Sequence, residues 1–319
     1  MNRTDGQDQH CDEPQPFPVL TKTHMTTVSR PRRSVLYMPG SNPRALEKAR
    51  GLPADALIFD LEDAVAPTVK PAARQSVIDC LSQGGYGRRE TLIRVNGMAT
   101  PWGADDLAAA ARSGADGVLL PKVESADMVR RAEAALADAG APDSLLLWCM
   151  METPLGILRA AEIAAATPRL AGLVMGTSDL AKDLHAVHTP MRLPMLVSLG
   201  QCLLAARAFG LAIIDGVHLD LADADGFESA CRQGVEMGFD GKTLIHPKTI
   251  DTANRLFAPS AAALTWSHRV IDAFAQAQRD GAGVVVVDGQ LIEQLHVQDA
   301  ERVVGLARQI ALMQDGGAA

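Results

Sequence analysis

Residues 145–158 read LLLWCMMETPLGIL. The apolar run from Leu145 to Met151 stops at Glu152, and Thr153-Pro154 then opens a helix-like stretch. A strand that is apolar at every position is buried on both faces, as in a parallel sheet flanked by helices. In such sheets ligands meet the carboxyl ends of the strands, so a carboxylate at that end marks a candidate site.

The same phrase recurs along the chain. Short apolar runs SVLYM (34–38), ALIFDL (56–61), TLIRV (91–95), GVLLP (117–121), LLLWCMM (145–151), GLVMG (172–176), AIIDGV (212–217) and GKTLI (241–245) alternate with Ala-rich amphipathic stretches, several ending in Gly. Eight β/α units of this kind predict a TIM barrel rather than an open doubly wound sheet. No GxGxxG follows the first run, which argues against a dinucleotide-binding sheet. The repeat breaks after Pro259, where a long helical pattern leads through AGVVVVDGQLIEQ to a second helix. The expected organisation is a disordered polar tail over 1–30, a catalytic barrel over 31–257 and a C-terminal helical arm or lid with a short β-hairpin over 258–319.

Composition narrows the function. The 319 residues are 47% hydrophobic and 21% charged, as in an ordinary globular protein. Aromatics at 4% offer little for base or sugar stacking, and a net charge of -8 without a basic run disfavours nucleic acid and anionic membranes. No apolar segment approaches the roughly 20 residues of a membrane span. The first thirty residues lack the apolar core of a signal peptide. Five cysteines without a CxxC pair fit free thiols in a reducing cytoplasm, and Cys11 beside His10 is not read as a metal site.

Polar residues at the predicted strand ends gather into one set. They are Asp60, Glu62 and Asp63 after the second run, Arg94 and Asn96 after the third, and Lys122 after the fourth. Glu152, Asp179, Asp215 with His218, and His246 follow the remaining four. Glu152 and Asp179 supply oxygen ligands from neighbouring strands and lack a soft partner, which suits Mg²⁺ completed by water and substrate oxygens. The other reading of Glu152 is a strand-end salt bridge with Arg94 or Lys122. For Asp179 it is helix N-capping, by Ser178 or Asp179 itself. Arg94 can pair with a substrate carboxylate or a developing enolate. Asp60, Glu62 and Asp63 either orient Arg94 and the metal's waters or form a solvated acidic loop. A Schiff-base role for Lys122 is disfavoured because a metal already supplies the electrophile. His246, before a proline, shapes a loop or touches a ligand, and His185, His188 and His268 read as surface or helix residues.

The motifs RRSVLYMPGSNPRALEKA, DALIFDLEDAVAPTVKPAAR, IRVNG, METPLGIL, GTSDLAKDL and GFDGKTLIHPKTI together resemble the citrate lyase β-subunit-like proteins, with the malyl-CoA and citramalyl-CoA lyases. The likeness runs from about residue 32 onward in family order. It implies a TIM barrel with a C-terminal lid, assembled as trimers or hexamers, with the lid reaching a neighbouring subunit's site. It implies Glu152 and Asp179 as Mg²⁺ ligands and Arg94 as the grip on keto-acid and enolate oxygens. It also implies Arg33, with Lys48 behind it, as the CoA contact near the first strand. Relatives carry a lid aspartate in a G-x-M-I-D context. Here DGQLIEQ puts Glu293 at that place as acid/base, with Asp288 as the nearby substitute.

The reaction so implied is Mg²⁺-dependent cleavage of a citramalyl-CoA or malyl-CoA type thioester to acetyl-CoA and a keto acid. Two alternatives stand beside it. One is a thioesterase, if water reaches the thioester. The other is a citrate lyase β-like subunit working on an acyl-carrier protein. The arm and Glu293 favour a free-standing CoA enzyme.

Overall fold

The computed structural model describes residues 30–315, so residues 1–29 of the expected N-terminal tail, Cys11 among them, lie outside the described residues. The eight apolar runs form eight parallel strands: β1 (Ser34–Pro39), β2 (Ala56–Asp60), β3 (Glu90–Arg94), β4 (Gly117–Leu120), β5 (Leu146–Met151), β6 (Leu170–Met175), β7 (Ala212–Asp215) and β8 (Gly241–Leu244). Each pairs with the next, and β8 pairs back with β1, so the sheet closes into a TIM barrel without an edge.

The helices are α1 (Pro43–Ala49), α2 (Lys70–Gln83), α3 (Gly103–Ala110), α4 (Ala126–Asp138), α5 (Pro154–Leu158), α6 (Ala160–Ala164), α7 (Thr177–Asp183), α8 (Leu196–Ala208), α9 (Ala224–Met237), α10 (Ile250–Leu256), α11 (Ala261–Arg279) and α12 (Gln294–Asp315). Caps fix where several begin. Ser125 accepts from the Met128 N–H, Thr153 from Gly156, Asp223 from Gly226 and Ser260 from Ala263. A short hairpin of β9 (Val285–Val287) and β10 (Gln290–Ile292) joins α11 to α12.

Alternation along the strands divides the core in two. Leu36, Leu57, Phe59, Ile93, Val118 and Cys149 face outward and pack under the helices. Val35, Ile58, Leu92, Leu119, Trp148, Met150, Val174 and Ile214 face inward and fill the barrel. Trp148 is the largest of these and 1% exposed. It fits because its neighbours are glycines: a Cβ on Gly172 would overlap its six-membered ring, and one on Gly117 would crowd Leu92 and the indole. Below it, the Arg32 guanidinium lies 4.9 Å from the indole centroid and pairs with Glu90, closing the foot of the barrel.

The C-terminal segment has its own small core of Val270, Phe274, Val287, Ile292, Val297 and Ala300. Helix α12 runs along the foot of the barrel. Its Arg302 and Leu306 share a groove with Arg32 and Asp240, and its Met313 shares another with Arg33 and Asp55. No helix among the described residues is long and apolar enough to cross a membrane. Cys80, Cys149, Cys202 and Cys231 are free thiols.

Candidate active site

The inward-facing positions continue upward by steps of two. Val35, Ile58, Leu92, Met150 and Val174 are followed by Tyr37, Asp60, Arg94, Glu152 and Gly176, so the last apolar layer is capped by a polar one at the carboxyl ends. Gly176 has to be glycine, because a Cβ there would overlap the Glu152 side chain.

Arg94 is fixed from two sides. Its Nε donates to Asp60 Oδ1 at 2.7 Å and its Nη2 to Asp60 Oδ2 at 2.6 Å, a planar two-bond pair. Its guanidinium lies 4.9 Å from the Tyr37 ring centroid. Asp60 is 1% exposed and also accepts the N–H groups of Glu62 and Ala64, so the acidic loop is folded around it. Burial would lower the Arg94 pKa, but the Asp60 bonds and charge outweigh it, and the guanidinium stays charged.

The third Arg94 nitrogen faces the loop, with Nη1 3.1 Å from Glu62 Oε2 and 3.7 Å from Asp63. That Glu62 oxygen is buried without a well-directed hydrogen bond, and burial raises the carboxyl's pKa despite Arg94 and Lys122. Lys122 Nζ donates to Glu62 Oε1 at 2.6 Å and lies 3.2 Å from Asp179 Oδ2. Its backbone N–H donates to Glu152 Oε1 at 2.8 Å. Burial pushes Glu152 up to about 7, more than the Lys122 N–H and charge pull it down. Asp63 is 60% exposed, at the rim of the cluster.

Glu152 and Asp179 therefore flank one residue, Lys122, at the barrel mouth. Glu152 has no side-chain salt bridge with Arg94 or Lys122 among the described residues, unlike the alternative weighed from sequence. Asp179 lies in the first turn of α7, whose N-cap is Gly176 without a side-chain cap bond, so neither Ser178 nor Asp179 caps that helix. No preformed group of three or more His, Cys, Asp or Glu side chains exists among the described residues. A pair of carboxylates without a soft ligand fits Mg²⁺, which keeps much of its hydration, better than zinc.

Other expectations need correction. Arg33 precedes β1 and so lies at the foot, where it is 6% exposed, paired with Asp55 at 2.8 Å and next to the Asn254 carbonyl. Lys48 is exposed in the last turn of α1, toward the same end. Neither can meet a ligand at the mouth. The cation that the β1–α1 connection does bring to the mouth side is Arg44, at the start of α1. Asp215 follows inward-facing Ile214 and so points outward, where Lys242 Nζ at 2.7 Å and Arg192 Nη1 at 2.7 and 2.8 Å surround it. It is a structural ion cluster under α9. His218 lies nearby with Nε2 3.7 Å from Asp223, outside the carboxylate cluster.

His246 is at the mouth rim, exposed, with Nδ1 accepting from the Lys248 N–H. Asn96 supports the loop from below, donating to the Leu61 carbonyl and Asp106. Glu293 is exposed after β10, and its N–H donates to His296 Nδ1. Its side chain has no hydrogen-bond partner among the described residues. Asp288 pairs with Arg269 on α11 instead. Sequence reasoning missed Tyr37, which only strand parity could have revealed, and Lys70, whose buried ammonium donates to the Leu61 and Glu62 carbonyls and shapes the acidic loop.

Residues 33–247 match the HpcH/HpaI aldolase/citrate lyase family. The chain is 54% identical over 287 residues to a (3S)-malyl-CoA thioesterase of Cereibacter sphaeroides, covering 90% of this chain and 98% of the relative. It is 38% identical over 270 residues to the citrate lyase subunit beta of Escherichia coli K12, covering 83% and 89%. A solved structure of CitE from Mycobacterium tuberculosis in complex with magnesium, acetoacetate and coenzyme A superposes with a TM-score of 0.67 at 32% identity, over 86% of this chain and 97% of that one. The barrel, the motif order and these matches place the chain in the HpcH/HpaI aldolase/citrate lyase family, among enzymes related to the citrate lyase β subunit.

Proposed function

We propose that this protein hydrolyses the thioester of a malyl-CoA type substrate, with Mg²⁺ held by Glu152 and Asp179. The observation that carries the choice of hydrolysis is the 54% identity to the malyl-CoA thioesterase along 98% of that protein's length. This shifts the balance away from carbon–carbon cleavage, the first reading of the sequence. The magnesium, acetoacetate and coenzyme A named with the CitE structure support the metal and the ligand class.

Bound at this place, Mg²⁺ would polarise the substrate's hydroxyl and carboxylate oxygens and lower the cost of negative charge on them. The chain's own groups do the rest. Arg94, held rigid by Asp60 and Tyr37, presents a fixed cation to the substrate's carboxylate or developing oxyanion. Glu62, the carboxylate between Arg94 and Lys122, is the group assigned to accept a proton from an attacking water. Asp63 adds negative charge at the rim, and His246 is a rim contact for the acyl-CoA. Glu293 serves as lid acid/base only if a second copy of the chain brings it to the mouth, which makes a homo-oligomer part of the proposal. The segment from 258 onward would then be the lid.

Carbon–carbon cleavage stays as a second reading, supported by the citrate lyase β relatives. The same Arg94 would then stabilise an acetyl-CoA enolate. Release of free CoA thiol from (3S)-malyl-CoA, followed with Mg²⁺ and with excess chelator, tests the proposal. Metal-dependent release that disappears in Glu152→Gln supports it. Release that persists under chelation refutes the metal's role.

A further inference from the structure

Lys122 is the cation of the carboxylate cluster that the chemistry above leaves unused. Its backbone has φ 48°, a left-handed conformation that costs a non-glycine residue on the order of 1 kcal/mol. That twist aims two groups of one residue at the cluster. The N–H meets Glu152 Oε1 at 2.8 Å, while the ammonium lies 2.6 Å from Glu62 Oε1, 3.2 Å from Asp179 Oδ2 and 3.8 Å from Asp63 Oδ2. Both carboxylates proposed to hold the metal are thus held by Lys122, through different atoms.

The two contacts differ in their consequence. The N–H occupies one oxygen of Glu152 and leaves Oε2 open, so it orients the carboxylate without blocking it. The ammonium on Asp179 conflicts with a divalent cation, which would sit about 2.0–2.1 Å from that carboxylate and repel a neighbouring charge. We infer that the Lys122 ammonium competes with the divalent cation for Asp179 and so sets the site's metal affinity, while the Lys122 N–H aligns Glu152 for binding. Glu62, which already accepts from the ammonium at 2.6 Å, and Asp63 at 3.8 Å keep the charge paired when it leaves Asp179. Lys122 is on this view a positioning residue, and the inference rests on Glu152 and Asp179 being the metal ligands.

Calorimetric titration of Mg²⁺ into the full-length protein tests it without reference to activity. Lys122→Met is expected to bind Mg²⁺ about fivefold more tightly than wild type, the scale of one half-exposed ion pair. Lys122→Arg, which keeps the charge, should not tighten binding. Lys182→Met removes the same charge from α7, where Lys182 pairs with Asp183 rather than Asp179, and should leave the affinity unchanged. Lys122→Gly suits the left-handed backbone and replaces the Met variant if that one folds poorly. Binding by Lys122→Met no tighter than wild type overturns the inference, as does equal tightening in Lys182→Met. Wild type that binds no Mg²⁺ fails differently, because it removes the metal site itself.

Discussion

Replacing Arg94 by lysine keeps the charge and removes the geometry. The Arg94 side chain is 9% exposed and its partner Asp60 1%, so solvent screens the pair little. A lysine offers one nitrogen on a flexible stem and cannot make both short bonds, at 2.7 and 2.6 Å, in one plane. Losing one charge-assisted bond costs about 1.5–3 kcal/mol. Losing the planar contact with Tyr37, at 4.9 Å, adds roughly 0.5–1 kcal/mol. Arg94→Lys should therefore lower the unfolding free energy by about 2–4 kcal/mol with little change in the urea m-value, read from tryptophan fluorescence. With the cation no longer aimed at the substrate, kcat/KM for (3S)-malyl-CoA should fall by about 100-fold or more. A variant destabilised by less than about 0.5 kcal/mol, with kcat/KM within about threefold of wild type, would refute the role given to the Asp60–Arg94 pair.

Three further outcomes are expected. Gly172→Ala forces a methyl into the Trp148 ring and should cost about 1–3 kcal/mol, measured by urea unfolding, whereas nothing crowds Gly200 and Gly200→Ala should not destabilise. Burial would raise Asp215, but Lys242 and Arg192 outweigh it and hold its pKa below the ordinary 3.8, so its stabilisation is present above that value and lost as pH falls through the lower folded one. Asp215→Asn should remove about 3 kcal/mol or more at neutral pH and flatten that acid limb, as followed by unfolding at a series of pH values. Glu293→Gln should slow turnover by about 10²–10⁴-fold without unfolding the barrel, and co-assembly with inactive Glu152→Gln subunits should restore part of the rate if the lid acts across subunits.

Much of this was legible because strand parity is rigid. Once β2, β3 and β5 are read as inward-facing at Ile58, Leu92 and Met150, Asp60, Arg94 and Glu152 must share the mouth. The same rule, carried through, puts Tyr37 beside them and turns Asp215 outward, away from the site. Arg33 shows the opposite failure. The family resemblance suggested a CoA contact there, yet a residue that precedes a strand lies at its foot, where Arg33 neutralises Asp55. The buried ammonium of Lys70 and the left-handed backbone of Lys122 arise from loop geometry that no local pattern specifies. Glu293 depends on a surface that a single chain does not supply.

The central claim is that water, rather than carbon–carbon cleavage, ends the reaction. It is tested most directly by resolving the products of (3S)-malyl-CoA turnover by mass spectrometry in the presence of Mg²⁺. Malate and free CoA appearing together in equal amounts, without glyoxylate, is the predicted result. Glyoxylate and acetyl-CoA formed in equal amounts, without malate, would contradict it and return the site to the lyase reading.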